Sequence, residues 1–402
     1  MIKREQYISK LRQLKNTHLI KVISGVRRSG KSTLLEMFRD ELLGHGVSQK
    51  QITFINFENP EYTDINIDYM DVYRKINKNL IKNKMNYIFL DEIQNVPNFE
   101  KLVDGLFIKK NVDLYITGSN AYFLSGELAT LLTGRNFEIK ILPLSFAEYV
   151  SAFKDKSRLD LIFHNYLEYG AFPQTIDLFN IDPSLVREYL QGIYNTILFK
   201  DVIARKGVND RETLEHVARF LLDNIGSFAT PKSISDYMGS NYRKVAPQTV
   251  DNNLSALSDS FLFYPTNRYD IKGKMYLQTQ QKYYTIDIGL RSAVLGNQTN
   301  IDRGHILENI VFLELLRRGG QVWVGKTKEG KEVDFVVKNS KGETEYFQVT
   351  ESMSDKNTQI RELTPLKSID DNHFKCIIST DVGSLNYDGI IQVNIIDWLL
   401  GN

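Results

Sequence analysis

The first third of the chain alternates short apolar runs with stretches of helical periodicity. Leu19–Ile23, Ile52–Phe57, Tyr87–Leu90 and the run that starts at Asp113-Leu114 each read as a strand buried on both faces. Leu34, Leu35 and Phe38 recur at helical spacing after the first of them. Strands that alternate with helices predict an α/β fold, a parallel sheet covered on both sides, over residues 1–150. From 151 to 228 the strand signals fade. There Tyr189, Ile193, Ile197 and Phe199, with Val202 and Ile203, make the apolar face of a helical segment. Asp201 and Arg205 stand on it at i,i+4, the spacing of a surface ion pair worth roughly 0.3–0.5 kcal/mol. Residues 229–300 carry two short helices and two strands, and 301–402 return to a helix followed by strands.

Between the first strand and the first helix lies Gly25-Val26-Arg27-Arg28-Ser29-Gly30-Lys31-Ser32, a complete G-x-x-x-x-G-K-[ST] phosphate loop. Its glycines let backbone N–H groups and a helix N-terminus converge on an anion. The candidate nucleotide contacts are Gly25, Arg28, Ser29, Gly30, Lys31, Ser32 and Thr33, with Lys31 reaching the β- and γ-phosphates and Ser32 a Mg²⁺ ion. The run Tyr87–Leu90 ends in Asp91-Glu92. On an open α/β sheet ligands bind at the carboxyl ends of strands, so these carboxylates are expected beside the loop. Asp91 would complete the Mg²⁺ shell and Glu92 would position the attacking water. The run from Asp113 ends in Gly118-Ser119-Asn120. Ser119 or Asn120 is placed to contact the γ-phosphate or the water. Arg135, just before Asn136–Ile141, reads equally as an arginine finger or as a surface cation paired with an acid.

These motifs, with Ile93-Gln94, Leu132-Thr133-Gly134-Arg135 and Tyr169-Gly170-Ala171-Phe172-Pro173, resemble prokaryotic AAA-type P-loop ATPases that carry a C-terminal domain of unknown function, DUF4143. The resemblance spans essentially the whole chain. It implies ATP and Mg²⁺ as ligands, a P-loop core whose acidic strand lies beside the sensor strand, and a helical lid over 151–228. It also implies Pro173 closing a helix near the nucleotide, and Arg135 acting across a boundary between copies of the chain. No Asn-Lys-x-Asp guanine signature is present.

Residues 229–300 resemble a winged-helix domain. Thr230-Pro231 starts one helix, Pro247–Val250 opens a second with Val250, Leu254 and Leu257, and Phe261–Tyr264 and Lys282–Ile286 read as wing strands. Arg268, Lys272 and Lys274 on the wing turn, with Arg243 and Lys244, could neutralise the phosphates of duplex DNA. Docking of a protein partner is the competing reading, since Asp251 and Asp259 share the second helix. Residues 301–402 resemble a restriction-endonuclease-like fold. Glu308 and Asp334 match its metal-binding pattern, but Gln348 and Thr350 stand where a carboxylate and a lysine belong. An amide is a poor Mg²⁺ ligand, so this domain is expected to be inactive, with Glu351 or Lys338 as the migrated substitutes that would restore it. His164 and His305 read as packing or capping residues.

Composition narrows the picture further. Fifty basic against 49 acidic side chains leave a net charge of +1, so nucleic-acid binding would need a local patch. The single cysteine, Cys376, excludes an internal disulfide and a cysteine-built zinc site. No apolar run approaches the ~20 residues of a membrane span, and no signal core opens the chain. A cytoplasmic protein without membrane contact is expected.

Overall fold

The apolar runs of the first third become strands Ile20–Ser24 (β1), Ile52–Asn56 (β2), Asn86–Asp91 (β3), Val112–Gly118 (β4) and Asn136–Lys140 (β5). The computed structural model describes residues 2–62, 68–119, 134–204, 210–273, 275–296 and 303–401. All five strands are parallel, in the order β2-β3-β4-β1-β5. The acidic strand β3 therefore lies beside β4 and not beside β1, as the resemblance implies. Helices Glu5–Leu14 (α1) and Lys31–Gly44 (α2) cover one face, packing Leu11, Leu34 and Phe38 on Phe89 and Tyr115. Tyr69–Asn79 (α3) and Phe99–Phe107 (α4) cover the other with Val72, Ile76, Leu102 and Leu106 on Val22, Ile88 and Ile116. This two-sided cover explains why β1, β3 and β4 are buried at every position.

The chain divides into two units, residues 1–141 with 259–261 and residues 142–258 with 262–402. The second unit begins with helices Phe146–Ser151 (α5), Leu159–Tyr169 (α6), Pro173–Ile181 (α7) and Pro183–Thr196 (α8). A π-helical stretch, Ile197–Ile203, and helix Arg211–Asp223 (α9) follow. Phe228–Ala229 (β6), helices Pro231–Asn241 (α10) and Pro247–Asp259 (α11), and the hairpin Phe263–Asp270 (β7) and Met275–Thr285 (β8) come next. Helices Ile288–Leu295 (α12) and Arg303–Arg317 (α13) lead to Gln321–Lys326 (β9), Glu332–Lys338 (β10) and Thr344–Val349 (β11). Lys356–Lys367 (α14), Phe374–Ser379 (β12), Leu385–Tyr387 (β13), Ile390–Asn394 (β14) and Ile395–Leu400 (α15) complete it. The segments read separately as 229–300 and 301–402 share one nine-stranded sheet, in the order β13-β14-β12-β11-β10-β9-β7-β8-β6.

Two local expectations change. The hairpin strands run well past the wing segments read from the sequence, because the far half of β7 pairs in parallel with β9 through Arg268↔Val324 and Asp270↔Lys326. Pro173 opens α7 and closes nothing: it occupies the first helical turn, where its missing N–H costs no hydrogen bond. The preceding Gly170 has φ 74°, and a Cβ there would lie 2.2 Å from Asp287 Oδ1. Asp287 caps α12 by accepting the Leu290 N–H at 2.8 Å and takes the Ala171 N–H at 2.6 Å. Burial pushes its carboxyl up to about 6 against those bonds. The Tyr169–Pro173 turn is thus a packing element of the second unit. Among the described residues, no helix is long and apolar enough to cross a membrane.

Candidate active site

The phosphate loop connects the carboxyl end of β1 to the amino end of α2. Gly25 lies where a Cβ would approach the Ile141 carbonyl to 2.2 Å, and its φ of 149° suits glycine. Gly30 caps α2 at φ 95°, and Arg28 takes the left-handed region at φ 67°. Lys31 is buried and folds back on the loop, donating to the Gly25 and Val26 carbonyls at 3.1 and 3.2 Å. Ser29 Oγ is buried and finds no hydrogen-bond partner among the described residues. A buried hydroxyl without a partner is costly, and a phosphate oxygen would satisfy it. Ser32 and Thr33 form the first turn of α2.

The carboxyl end of β3 meets this loop. Asp91 is fully buried, and accepts the Thr117 hydroxyl at 2.6 Å and the Asn56 amide at 3.0 Å. Burial raises its carboxyl above the usual range, and hydrogen bonds from Thr117 and Ser32 only partly offset this. A cation arriving beside Asp91 would relieve that penalty, so the donor set Ser32 and Asp91 fits a hard divalent ion. Glu92 sits 3.6 Å from Lys31 Nζ. Its backbone takes the left-handed region at φ 52°, a conformation costing about 1 kcal/mol that aims the carboxylate back at the loop.

Three further residues complete the cluster, none of them given a role by the sequence. Gln94 donates its amide to Glu92 and lies 3.5 Å from Ser119 Oγ, which links β3 to the end of β4. Thr117 bridges the strands, since its Oγ1 also accepts the Glu92 N–H at 2.8 Å. Arg4, before α1, donates to the Ser29 carbonyl at 2.9 Å and steadies the crest of the loop. Gln94 and Thr117 flank residues that the motifs single out; nothing in the sequence marks Arg4.

Ser119 is buried at the carboxyl end of β4, whereas Asn120 lies outside the described residues. Arg135 stands at the amino end of β5, where its carbonyl accepts the Ile20 N–H at 2.8 Å. That is the end of the sheet opposite the phosphate loop, since β1 and β5 are adjacent and parallel. Its guanidinium pairs with Asp104 at 3.0 Å and lies over Phe107. Arg135 therefore does not join its own chain's site, which restricts any role as a finger to a neighbouring copy. Arg205 and Lys274 also lie outside the described residues.

In the second unit the basic residues read as a phosphate patch are partly engaged. Arg243 is paired with Asp210 and donates to Thr213 at 2.6 Å. Arg268 lies on β7 and not in the turn, bonded to Gln280 at 2.9 Å and stacked over Phe228. Lys244 and Lys272 are exposed. Glu308, Asp334, Gln348, Thr350 and Glu351 line one cleft with His305, which lies 3.3 Å from Glu308. His164 is exposed beside Glu168.

Comparison with known proteins covers each part. An AAA domain model matches residues 17–150, and models of domains of unknown function, DUF8612 and DUF4143, match 161–300 and 303–396. An uncharacterized protein of Haemophilus influenzae is 41% identical over 405 residues, covering 100% of this chain and 99% of its own. One from Methanocaldococcus jannaschii is 32% identical over 339 residues, with 79% of this chain and 72% of its own covered. The Walker-type ATPase of Pyrococcus abyssi superposes with a TM-score of 0.47 at 15% identity, over 73% of this chain and 96% of that one. The ORC1 protein of Aeropyrum pernix, in complex with DNA, superposes at 0.35 and 14%, over 74% and 93%. With a relative matched end to end and both flanking domain models in place, the chain belongs to the family of AAA-type P-loop ATPases that carry a C-terminal DUF4143 domain.

Proposed function

We propose that the protein is a cytoplasmic, Mg²⁺-dependent ATPase that uses its nucleotide state to control its C-terminal unit. The observation that carries this reading is the meeting of Lys31 and Ser32 with Asp91 and Glu92 at one end of the parallel sheet. The loop N–H groups and Lys31 would hold the phosphates of ATP, and Ser29 Oγ would gain the partner it lacks. Ser32 and Asp91 would hold Mg²⁺, which when bound supplies positive charge to the β- and γ-phosphates. Glu92 orients a water in line with the γ-phosphorus and takes its proton. The new O–P bond forms as the β–γ bridge breaks, leaving ADP and phosphate. Ser119 would contact the γ-phosphate from β4, and Asn120 follows it in the chain.

A finger role for Arg135 requires a homo-oligomer, because from the amino end of β5 it can serve only another copy, where it would leave its pairing with Asp104. Arg135→Ala is expected to lower hydrolysis at least ~10-fold with nucleotide affinity unchanged. Mixing it with Lys31→Ala should return part of the activity, as measured by steady-state phosphate release. No recovery excludes the trans role.

The C-terminal unit is read as a winged-helix and nuclease-like module that contacts duplex DNA, with Lys244 and Lys272 exposed to phosphates. A second reading, a slow nucleotide switch that recruits a protein partner, is favoured by the pairing of Arg243 with Asp210 and by the net charge of +1. Hydrolysis rates at low salt with and without duplex DNA separate the two. Stimulation that fades steeply with added salt supports DNA. A low rate indifferent to DNA supports the switch.

A further inference from the structure

The nuclease-like cleft, of about 1010 Å³, lies where α13 approaches β10 and β11. The fold resembled here holds a divalent ion between an Asp and a Glu, and the residues present do not fit one. Gln348 Oε1 accepts the Asp334 N–H at 3.2 Å, and Asp334 Oδ2 accepts the Val349 N–H at 2.8 Å. Thr350 offers no charge. Among the described residues, no group of three or more His, Cys, Asp or Glu side chains is arranged to hold a metal.

A cation nevertheless reaches these carboxylates, from another part of the sheet. Lys282 enters from β8 with its Nζ 2.9 Å from Glu308 Oε1 and 2.6 Å from Glu332 Oε1, and only 3% of the residue is exposed. Tyr284, two residues on and on the same face of β8, donates its hydroxyl to the same Glu308 oxygen at 2.5 Å. The Phe228 ring covers the ammonium at 5.6 Å. Gly226 leaves room for the arrangement, since a Cβ there would lie 2.8 Å from His305 Nδ1 and 3.3 Å from Glu308 Oε2. Burial opposes the charge of Glu308, yet Lys282, His305 and Tyr284 together hold its carboxyl below the usual range. Burial and the nearby Glu308 charge push Asp334 well above it.

We propose that Lys282 is the built-in cation of this module. Its ammonium takes the role of a divalent ion toward Glu308 and Glu332, and ties the β7–β8 hairpin to α13 and β10. A fixed ammonium offsets the charge of the buried Glu308 and is shared with the partly exposed Glu332, but it has no open coordination position and cannot activate a bound water. The cleft therefore keeps its shape without metal and does not cut phosphodiesters. In this way the two segments that share the sheet act as one rigid binding module.

The test uses Trp323 and Trp398, the two tryptophans of the chain, both in the second unit. Their fluorescence reports melting of that unit within the intact 402-residue chain. Lys282→Met is expected to lower the transition by about 10 °C, because the buried Glu308 loses its ammonium partner and the partly exposed Glu332 loses the same contact. Adding Glu308→Gln to it should recover at least half of that loss, which also covers the case in which the single variant does not fold. Millimolar Mn²⁺ should neither shift the wild-type transition nor support nicking of plasmid DNA. Any of three results overturns the proposal: Lys282→Met melting with the wild type, a double variant no more stable than the single, or a Mn²⁺ effect that Asp334→Asn abolishes. None of these readouts depends on ATP hydrolysis.

Discussion

Glu92→Gln is expected to bind ATP as the parent protein does and to hydrolyse it at least ~100-fold more slowly, the scale of a positioned general base. Gln has nearly the same shape and keeps one acceptor oxygen while the other position becomes a donor, so the left-handed backbone at Glu92 and the bond accepted from Gln94 can persist. What disappears is the negative charge 3.6 Å from Lys31 and the capacity to take a proton from water. Of the two carboxylates at the end of β3, Asp91 cannot replace it. Asp91 is closed in by Thr117 and Asn56, and burial favours its neutral form until a cation arrives. Steady-state phosphate release and the binding of a fluorescent ATP analogue separate turnover from affinity. Turnover unchanged in the variant would remove Glu92 from the reaction and leave the proposed mechanism without its base.

Asp113→Asn is expected to destabilise the first unit by about 3–5 kcal/mol, the cost of stranding a buried charge. Lys21 on β1 and Asp113 on β4 form an ion pair whose side chains are both fully buried. Both partners make further hydrogen bonds. Lys21 donates to the Thr17 carbonyl at 2.9 Å, and Asp113 Oδ2 accepts the Tyr115 hydroxyl at 2.9 Å and the Asn16 N–H at 2.8 Å. Burial pushes the Lys21 ammonium down, and Asp113 counters it; without Asp113 only the unfavourable part is left. Urea unfolding followed by circular dichroism measures the loss, and hydrogen exchange at β1 and β4 locates it. A second substitution, Lys21→Met, should return most of the stability, because a neutral pair of similar volume carries no desolvation cost. A single variant within 1 kcal/mol of wild type would show that water reaches Lys21 and that the pair is not structural.

The phosphate loop is legible in the sequence because its chemistry is contiguous. Gly25 to Ser32 supplies the turn, the donors and the helix start within eight positions, and only glycine suits the φ angles at residues 25 and 30. Asp91 and Glu92 are legible for a related reason, since strand ends of a parallel sheet gather at one edge whatever the intervening helices are. Arg135 shows the limit of that logic. It directly precedes β5 in the chain, and the amino end of that strand lies at the end of the sheet away from its own site. The basic residues of 243–274 show a similar limit: Arg243 is paired with Asp210 and Arg268 with Gln280 while Lys244 and Lys272 are exposed, because whether a cation faces solvent depends on what folds against it.

By itself, then, the sequence determined the parallel sheet, the loop that can cradle a phosphate and the two carboxylates beside it. Each of these follows from periodicity, glycine geometry or strand polarity over a few consecutive residues. Only the tertiary structure decided that Arg4 braces the loop, that Gln94 and Thr117 tie Glu92 to β4, and that the two C-terminal segments share one sheet. It also decided that Lys282 meets Glu308 and Glu332. These contacts join residues far apart in the chain, and strand order and register set them. A buried charge finds its partner only once the sheet has closed around both.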